Sequence, residues 1–344
     1  MSQFKVLDNP QQKDWDFFLD SLVHGNLQQS FDYGEAAKLF NHHTRVVRLF
    51  AVDGESPVSL VQGTFNRRFG FGDRLLVGGV YGDGPVVANV ENREQVLIGL
   101  LSDLEKHAIK NRVSEAFIYR LNVESALEKL GYDLSSVFNV YKVNLKKSVD
   151  ELWKSITHNK RKNVKKAQTH KVEVTQGMSD KELASFYEMH SIAGKRAEFE
   201  PHSLSYFYSF LKTFGTKEKA KIFLSVFNGQ PVAGVFVVVH GDTAYALGAG
   251  SRDEAWSVRP NDILHWKAME WACSERLAFY HMGFVDEPPP VEGLSGWSLW
   301  RWKREWNGQL QKVYLYHKVF MPRFRKFVLT PYEKIYNLAR KANF

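Results

Sequence analysis

A single stretch, Phe223 to Ala278, constrains this chain more than any other. It reads as hairpin, strand, bend and helix. Lys221–Phe227 is an apolar run that closes on Asn228-Gly229, a dipeptide suited to a two-residue hairpin turn because both residues tolerate positive φ. Val232–His240 returns, rich in β-branched residues, and Thr243–Ala249 follows as a third strand. A bend through Gly250-Ser251-Arg252 leads to Arg259-Pro260-Asn261-Asp262. Pro260 suits a first helical turn, where its preset φ fits and its missing N–H costs nothing. Leu264, Ala268, Trp271 and Ala272 then share one helix face. A strand that bends into a helix N-terminus leaves free backbone N–H groups, which favour anions and phosphate above all.

The first half of the chain echoes this pattern. Ala51-Val-Asp-Gly-Glu-Ser-Pro-Val58 resembles Ser225-Val-Phe-Asn-Gly-Gln-Pro-Val232, and the intervals Gly54 to Gly79 and Gly229 to Gly250 are similar. The order around each is the same: hairpin, strand, glycine-containing bend, a Pro near a long helix, strand. This predicts two copies of one α/β unit. In the first copy the strands are Val46–Ala51, Val58–Phe65, Arg74–Gly79 and Ser114–Leu121, with a helix over Glu91–Lys110. Short helices precede it at Trp15–Val23 and Ala36–Phe40. A helix over Val123–Leu130, capped by Gly131, and a strand over Phe138–Leu145 follow it. Between the copies, Ser148 caps one helix that runs to His170. Its second part, Asn159–Ala167, carries five basic residues in seven, which suits either a solvated helix face or a phosphate-tracking surface. Helices at Asp180–Lys195 and Leu204–Phe214, the strand Lys312–Phe320 and a basic amphipathic helix from Arg323 to Lys341 complete the pattern. Phe324, Phe327, Tyr332 and Tyr336 of that last helix suit docking on the protein body, and its charge also suits peripheral contact with a membrane surface.

At 344 residues the chain is long for one core, which favours two domains. Lys and Arg number 46 against 38 Asp and Glu, a balance compatible with a polyanionic partner without requiring one. Cys273, the single cysteine, excludes an internal disulfide and reads as an inert thiol on an apolar-patterned helix. No HxxxH or CxxC spacing points to a metal, and no P-loop or dinucleotide fingerprint points to nucleotide hydrolysis or hydride transfer. The N-terminus lacks the apolar core of a signal peptide and Val235–Val239 is far too short to span a bilayer, so a cytoplasmic protein is expected.

Two places could carry chemistry. Arg259, Asn261 and the helix N–H groups at the second bend could hold phosphate, or could simply cap the helix. The bend lacks the glycine-rich loop that cradles coenzyme A pyrophosphate in ordinary acetyltransferases, which favours a different donor. The second place is Trp297–Trp306, where Trp297, Trp300, Trp302 and Trp306 interleave with Arg301, Lys303 and Arg304. This pattern suits base stacking with phosphate contact, and equally suits core packing. The acidic Asp286–Gly293 loop just before it reads as solvated.

Taken in order, several pieces resemble the Fem family, the aminoacyl-tRNA-dependent transferases of peptidoglycan cross-bridges. They are Leu27–Glu35 with Lys38, Leu152–Ala167, His190–Arg196, Asn228–Gly234, Tyr245–Ser251, Arg259–Lys267 and Trp302-Lys303. The resemblance implies an α/β (α+β) fold of two tandem GNAT-like domains, here 1–147 and 148–344, with mixed sheets flanked by helices and a cleft between the lobes. It implies transfer of an aminoacyl group from charged tRNA to an amine, with no bound cofactor and an acyl-CoA donor as the alternative. Lys303 matches the lysine of the family's Phe-Lys pair near the donor's phosphate, Trp302 replaces that Phe, and Arg196 matches an arginine that enters the cleft. Lys38 matches a lysine that meets the acceptor's phosphates. On this basis Lys303, Arg196 and Tyr245 are catalytic candidates. Arg259, Asn261, Trp302 and His265 are donor-binding candidates, and Lys38, Tyr33 and Asn122 acceptor-binding ones. The chain departs from the family at Asn122-Val123, where Asp-Pro is usual, at Gly248, where a second tyrosine is usual, and at Tyr280–Phe284, where Tyr-Asp-x-Gly-Gly is usual. These departures bear on the acceptor more than on the transfer chemistry. A non-catalytic RNA-binding module is the reading from another class.

Overall fold

The computed structural model describes residues 4–22, 26–67, 73–197, 200–285, 291–293 and 296–320. The helix expected at 323–341 and most of the acidic loop at 286–293 lie outside the described residues. The chain divides into two compact units that interleave along the sequence: 1–23, 28–137 and 314–344 form one, and 24–27 with 138–313 form the other.

The first unit opens with β1 (Lys5–Asp8), α1 (Gln12–Leu22) and α2 (Phe31–Phe40). The second helix starts earlier than its apolar pattern suggests because Ser30 accepts a hydrogen bond from the Tyr33 N–H and caps it. The sheet strands are β2 (Arg45–Asp53), β3 (Ser56–Arg67), β4 (Asp73–Val77) and the two-residue β5 (Val86–Val87). They are followed by α3 (Arg93–Lys110), β6 (Val113–Arg120) and α4 (Ser125–Lys129). β1 to β4 pair antiparallel in sequence order, and β6 joins β4 in parallel after the α3 crossover. Val96, Leu97, Leu100, Leu101 and Leu104 line the inner face of α3 and meet Val61, Leu75, Ala116 and Ile118 from the sheet. Burial of each such side chain contributes roughly 1.5–3 kcal/mol before the entropy of ordering it is subtracted.

β7 (Asp133–Asn144) enters the second unit at Phe138. Where one helix is expected from Ser148 to His170, two form: α5 (Val149–Ser155) and α6 (His158–Thr169). Ile156 is extended, with ψ 157°, and Thr157 restarts the chain as an N-cap that accepts from the Lys160 N–H. β8 (Glu173–Gly177), α7 (Asp180–Arg196) and α8 (Leu204–Gly215) precede the hairpin of β9 (Ala220–Phe227) and β10 (Gln230–His240). Asn228 and Gly229 both take positive φ there, 51° and 75°, as a twisted two-residue hairpin requires. β11 (Thr243–Ser251), α9 (Pro260–Ser274) and β12 (Phe279–Val285) follow, then α10 (Trp297–Arg304) and β13 (Gln309–Val319). From Tyr314 onward β13 belongs to the first unit and pairs antiparallel with β6. Within the second unit β8, β9, β10 and β11 pair antiparallel in order, β12 joins β11 in parallel, and β7 pairs antiparallel with β12. The hairpin, third strand, crossover helix and parallel fourth strand thus occur twice, and the chain folds as the expected tandem α/β units.

The sheet and α7 touch at backbone distance. A Cβ added at Gly250 would lie 2.1 Å from the Met189 carbonyl oxygen and 2.7 Å from the His190 nitrogen, and backbone cannot swing aside as a side chain can. Gly250→Ala should therefore lower unfolding stability by about 3 kcal/mol, read as a fall in the urea midpoint. Gly229→Ala meets no atom within 4 Å and is expected to cost only the strain of its φ of 75°.

Candidate active site

The second unit has a local break in its sheet. β11 and β12 hold parallel register over three pairs only, Thr243↔Phe279, Ala244↔Tyr280 and Tyr245↔His281. β11 runs on to Ser251 and β12 to Val285 without further pairing to each other. β12 turns away because Gly283 takes φ 75° and its register with β7 slips between His281 and Phe284. Beyond Tyr245 the two strands therefore diverge.

Aromatic and basic side chains gather at the point of parting. Tyr245 is fully buried and stacks on His281, with ring centroids 5.4 Å apart. Burial pushes its phenol pKa up, and the hydroxyl lies against the Leu27 backbone and the Thr243 side chain. His281 accepts from the Gly283 N–H at Nδ1 (3.0 Å), which places the proton of the neutral ring on Nε2. Burial, then Lys142, then Lys303 hold its pKa well below the usual imidazole range. Lys303, near the end of α10, donates from Nζ to the Phe284 carbonyl. His265, on α9, shares a 2.9 Å hydrogen bond between Nδ1 and the Tyr280 hydroxyl and meets the Trp302 ring edge to face at 4.9 Å. Burial, with Lys160 and Lys303 as lesser causes, pushes its pKa down to about 3. Four of the expected residues, Tyr245, His265, Trp302 and Lys303, thus share one neighbourhood.

Three others sit at the start of α9. Arg196, on the last turn of α7, donates to the Ser251 carbonyl (3.1 Å), pairs with Asp253 and lies 4.7 Å over the Trp256 ring. Asn261 donates from Nδ2 to Ser251 Oγ at 2.8 Å, so its amide ties the helix start to the end of β11. Arg259 is exposed, takes φ 58° and occupies the N-cap position without a side-chain capping bond.

The remaining three belong to the first unit. Lys38 is exposed and pairs with Glu35 at 2.9 Å, and Glu35 also takes Arg48 at 2.8 Å. Tyr33, on the same helix, is hydrogen-bonded to Gln28, and burial pushes its phenol up. Asn122 is exposed beyond β6, two residues past Arg120. The Arg120 guanidinium is buried between Asp83 (3.1 Å) and Glu124 (3.0 Å), and Arg93 also binds Glu124.

Sequence reasoning missed the buried centre of the second unit. Lys160, from the basic run, is fully buried. Its ammonium lies 2.7 Å from Asp262 Oδ1 and 3.4 Å from Glu305 Oε2, and the Trp302 Nε1–H donates to the same Asp262 oxygen at 3.0 Å. His281 and Lys142 were missed as well; burial pushes the Lys142 amine pKa down while Asp242 opposes the shift. A strand position with a histidine in place of the family's Asp was the available signal. The Gly248 departure also has a local cause: a Cβ there would meet Phe207 at 2.9 Å and Phe186 at 3.2 Å, so α7 and α8 fill the space with their own rings. A surface cavity of about 440 Å³ lies elsewhere, lined by Phe227, Val232, Arg252 and Val258. Its arginine is already engaged by Glu188 and the Pro231 carbonyl, which leaves it little to offer a ligand.

The neutral histidines set a pH dependence. Below about pH 6.5 an unfolded imidazole takes up a proton, whereas folded His265 stays neutral down to about pH 3. The unfolded state then binds more protons, so stability falls as pH drops through this window and is flat above it. The slope amounts to at most about 1.4 kcal/mol per pH unit for each such group. Urea midpoints should fall between pH 7 and pH 5, and His265→Gln should shrink that difference whatever its own stability at pH 7.

Residues 154–304 match the acetyltransferase (GNAT) domain family. No curated protein matches the sequence. Among solved structures, FemX aligns with a TM-score of 0.78 at 16% identity, covering 94% of this chain and 99% of FemX. A tandem GNAT protein from the clavulanic acid biosynthesis pathway aligns at 0.58 and 8% identity, covering 92% and 98%. L-PGS from Bacillus licheniformis aligns at 0.55 and 15% identity, covering 94% and 96%. At these identities the likeness is one of fold. The short parallel pair, the helix between its strands and the match over 154–304 together identify a GNAT-type N-acyltransferase fold, repeated in tandem as in FemX.

Proposed function

We propose that this protein is a Fem-like N-acyltransferase that moves an aminoacyl group from aminoacyl-tRNA to an amine, on a peptidoglycan precursor or a similar envelope substrate. The observation that supports a tRNA ester over a coenzyme A thioester is the state of the α9 N-terminus. A free helix start attracts a pyrophosphate. Here Pro260 removes one N–H, the Asn261 amide is bonded to Ser251 Oγ, and Asp262, paired with Lys160, places a buried carboxylate in the first turn. α10, by contrast, offers a nucleic acid end the stacked rings of Trp297 and Trp300, 5.2 Å apart, beside Arg301, Lys303 and Arg304.

An aminoacyl ester is already activated. The amine nitrogen attacks the ester carbon, a C–N bond forms, the bond to the ribose oxygen breaks, and the amine's proton ends on that oxygen. Positioning and stabilisation of the oxyanion are the protein's tasks. In this reading Lys303 stabilises the oxyanion and donor phosphate, with Tyr245 and Arg196 shaping the site. Trp302, His265, Arg259 and Asn261 hold the donor, and Lys38, Tyr33 and Asn122 contact the acceptor. An acyl-CoA donor is the second reading, favoured by the GNAT match over 154–304.

Incubation with a mixture of radiolabelled aminoacyl-tRNAs and cell extract should move label to an amine product. Acetyl-CoA should leave the melting temperature unchanged; a rise with it, and no transfer from tRNA, selects the thioester reading. RNA binding without turnover from either donor leaves a binding module. Lys303→Ala should lower transfer about 10²-fold or more with the melting temperature kept within a few degrees.

A further inference from the structure

We propose that Lys160 is a positioning residue for the transfer site: its buried ammonium locks α10 onto α9 and so fixes Trp302 and Lys303. No residue of α10 is fully buried, although Trp300 and Trp302 pack against the apolar core of the second unit. Polar contacts fix how it sits there: the Tyr141 hydroxyl donates to the Arg304 carbonyl at 3.2 Å. Lys303 donates to the Phe284 carbonyl, and Trp302 donates to Asp262. Glu305, directly after the helix, accepts from Asn159 Nδ2 (2.7 Å) and, through its carbonyl, from the Thr157 N–H (3.1 Å). Lys160 stands at the centre of these attachments. Its Nζ pairs with Asp262 on α9 and with Glu305 after α10. It also lies 4.5 Å from the Trp302 ring centroid and 4.8 Å from that of Trp306, which is fully buried. One cation, from α6, therefore bridges two carboxylates and two indoles contributed by α9 and by residues 302–306. Removal of the ammonium would leave Asp262 and Glu305 repelling one another beside an indole pair that has lost its cation.

The role rests on the proposed transfer reaction only for its kinetic consequence, so structure and activity are tested separately. In Lys160→Met, hydrogen exchange across residues 297–306 should rise at least tenfold while β9, β10 and β11 keep wild-type protection. The Trp302 indole N–H resonance should broaden or shift, and it should return towards the wild-type position in Lys160→Arg, which restores the cation. With the donor and acceptor that support wild-type turnover, Lys160→Met should lower kcat at least tenfold and leave the acceptor KM within twofold. Unchanged exchange and an unchanged indole resonance in Lys160→Met would overturn the proposal whether or not the protein proves to be a transferase. A rise in acceptor KM with kcat intact would overturn the positioning role as well. Should Lys160→Met fail to fold, Asp262→Asn removes half of the charge that the ammonium pairs with. It must then show a smaller rise in exchange over the same residues, and an unchanged α10 refutes the proposal.

Discussion

The second unit depends on the point where β11 and β12 stop pairing. A parallel pair that parts after three residues gives up ladder hydrogen bonds between its strands, a cost that folded chains avoid unless their surroundings impose it. Here they do. β11 is held on its other edge by β10 from Thr243 to Ser251, and α7 presses on it closely enough that only glycine fits at 250. β12 is held by β7 on its far side and bends at Gly283. Neither strand can move to close the gap. The first unit carries the same order of strands and resolves it differently. Its bend after β4 returns to β6, where the Gly84 N–H donates to the Tyr119 carbonyl at 2.7 Å, and a Cβ at Gly84 would lie 2.8 Å from that oxygen. The two copies thus differ in how the strand pair parts beside the bend.

Both copies bury charge near these positions. In the first, Arg120 is enclosed by Asp83 and Glu124. In the second, Lys160 is enclosed by Asp262, Glu305 and two indoles. Buried ion pairs add little net stability over apolar packing, but loss of one partner is costly, so they fix geometry more than they raise stability. Asp262 has a second consequence. A carboxylate in the first turn of α9 is stabilised by the helix dipole, and it takes up the favourable potential that an anionic ligand would otherwise find there.

Much of this was legible in the sequence. Asn228-Gly229 announces its hairpin, the α3 and α9 stripes announce their buried faces, and the echo of Ala51–Val58 in Ser225–Val232 announces the repeat. The two strands of each hairpin are local neighbours, so period and turn chemistry suffice. The Lys160 centre was not legible. A run of five basic residues reads as solvent-facing, and nothing local marks which of them turns inward. The distinction is made by Asp262 and Glu305, 102 and 145 residues further on, which only tertiary packing brings near. The break at Ile156 lay between: Thr157 is a strong cap, but the apolar spacing runs on across it and hides the restart. Asn261 suits a phosphate by type and position, and its bond to Ser251 Oγ was equally invisible in the sequence.

Under the proposed transfer, the electrostatics around His265 and His281 bear on the acceptor's protonation. Burial is the main cause that keeps His281 and His265 neutral; Lys142 and Lys303 add to it at His281, and Lys160 and Lys303 at His265. A field that expels a proton from an imidazole acts in the same sense on any amine brought beside it, because like charge disfavours the cationic form. For an N-acyl transfer this is productive. The ammonium form of an acceptor has no lone pair with which to attack, and the same cations that lower its pKa favour the oxyanion formed by the attack. In the proposed transfer neither neutral histidine then has to serve as a base: the field shifts the acceptor towards its reactive form before it meets the ester, and the departing ribose oxygen takes the amine's proton.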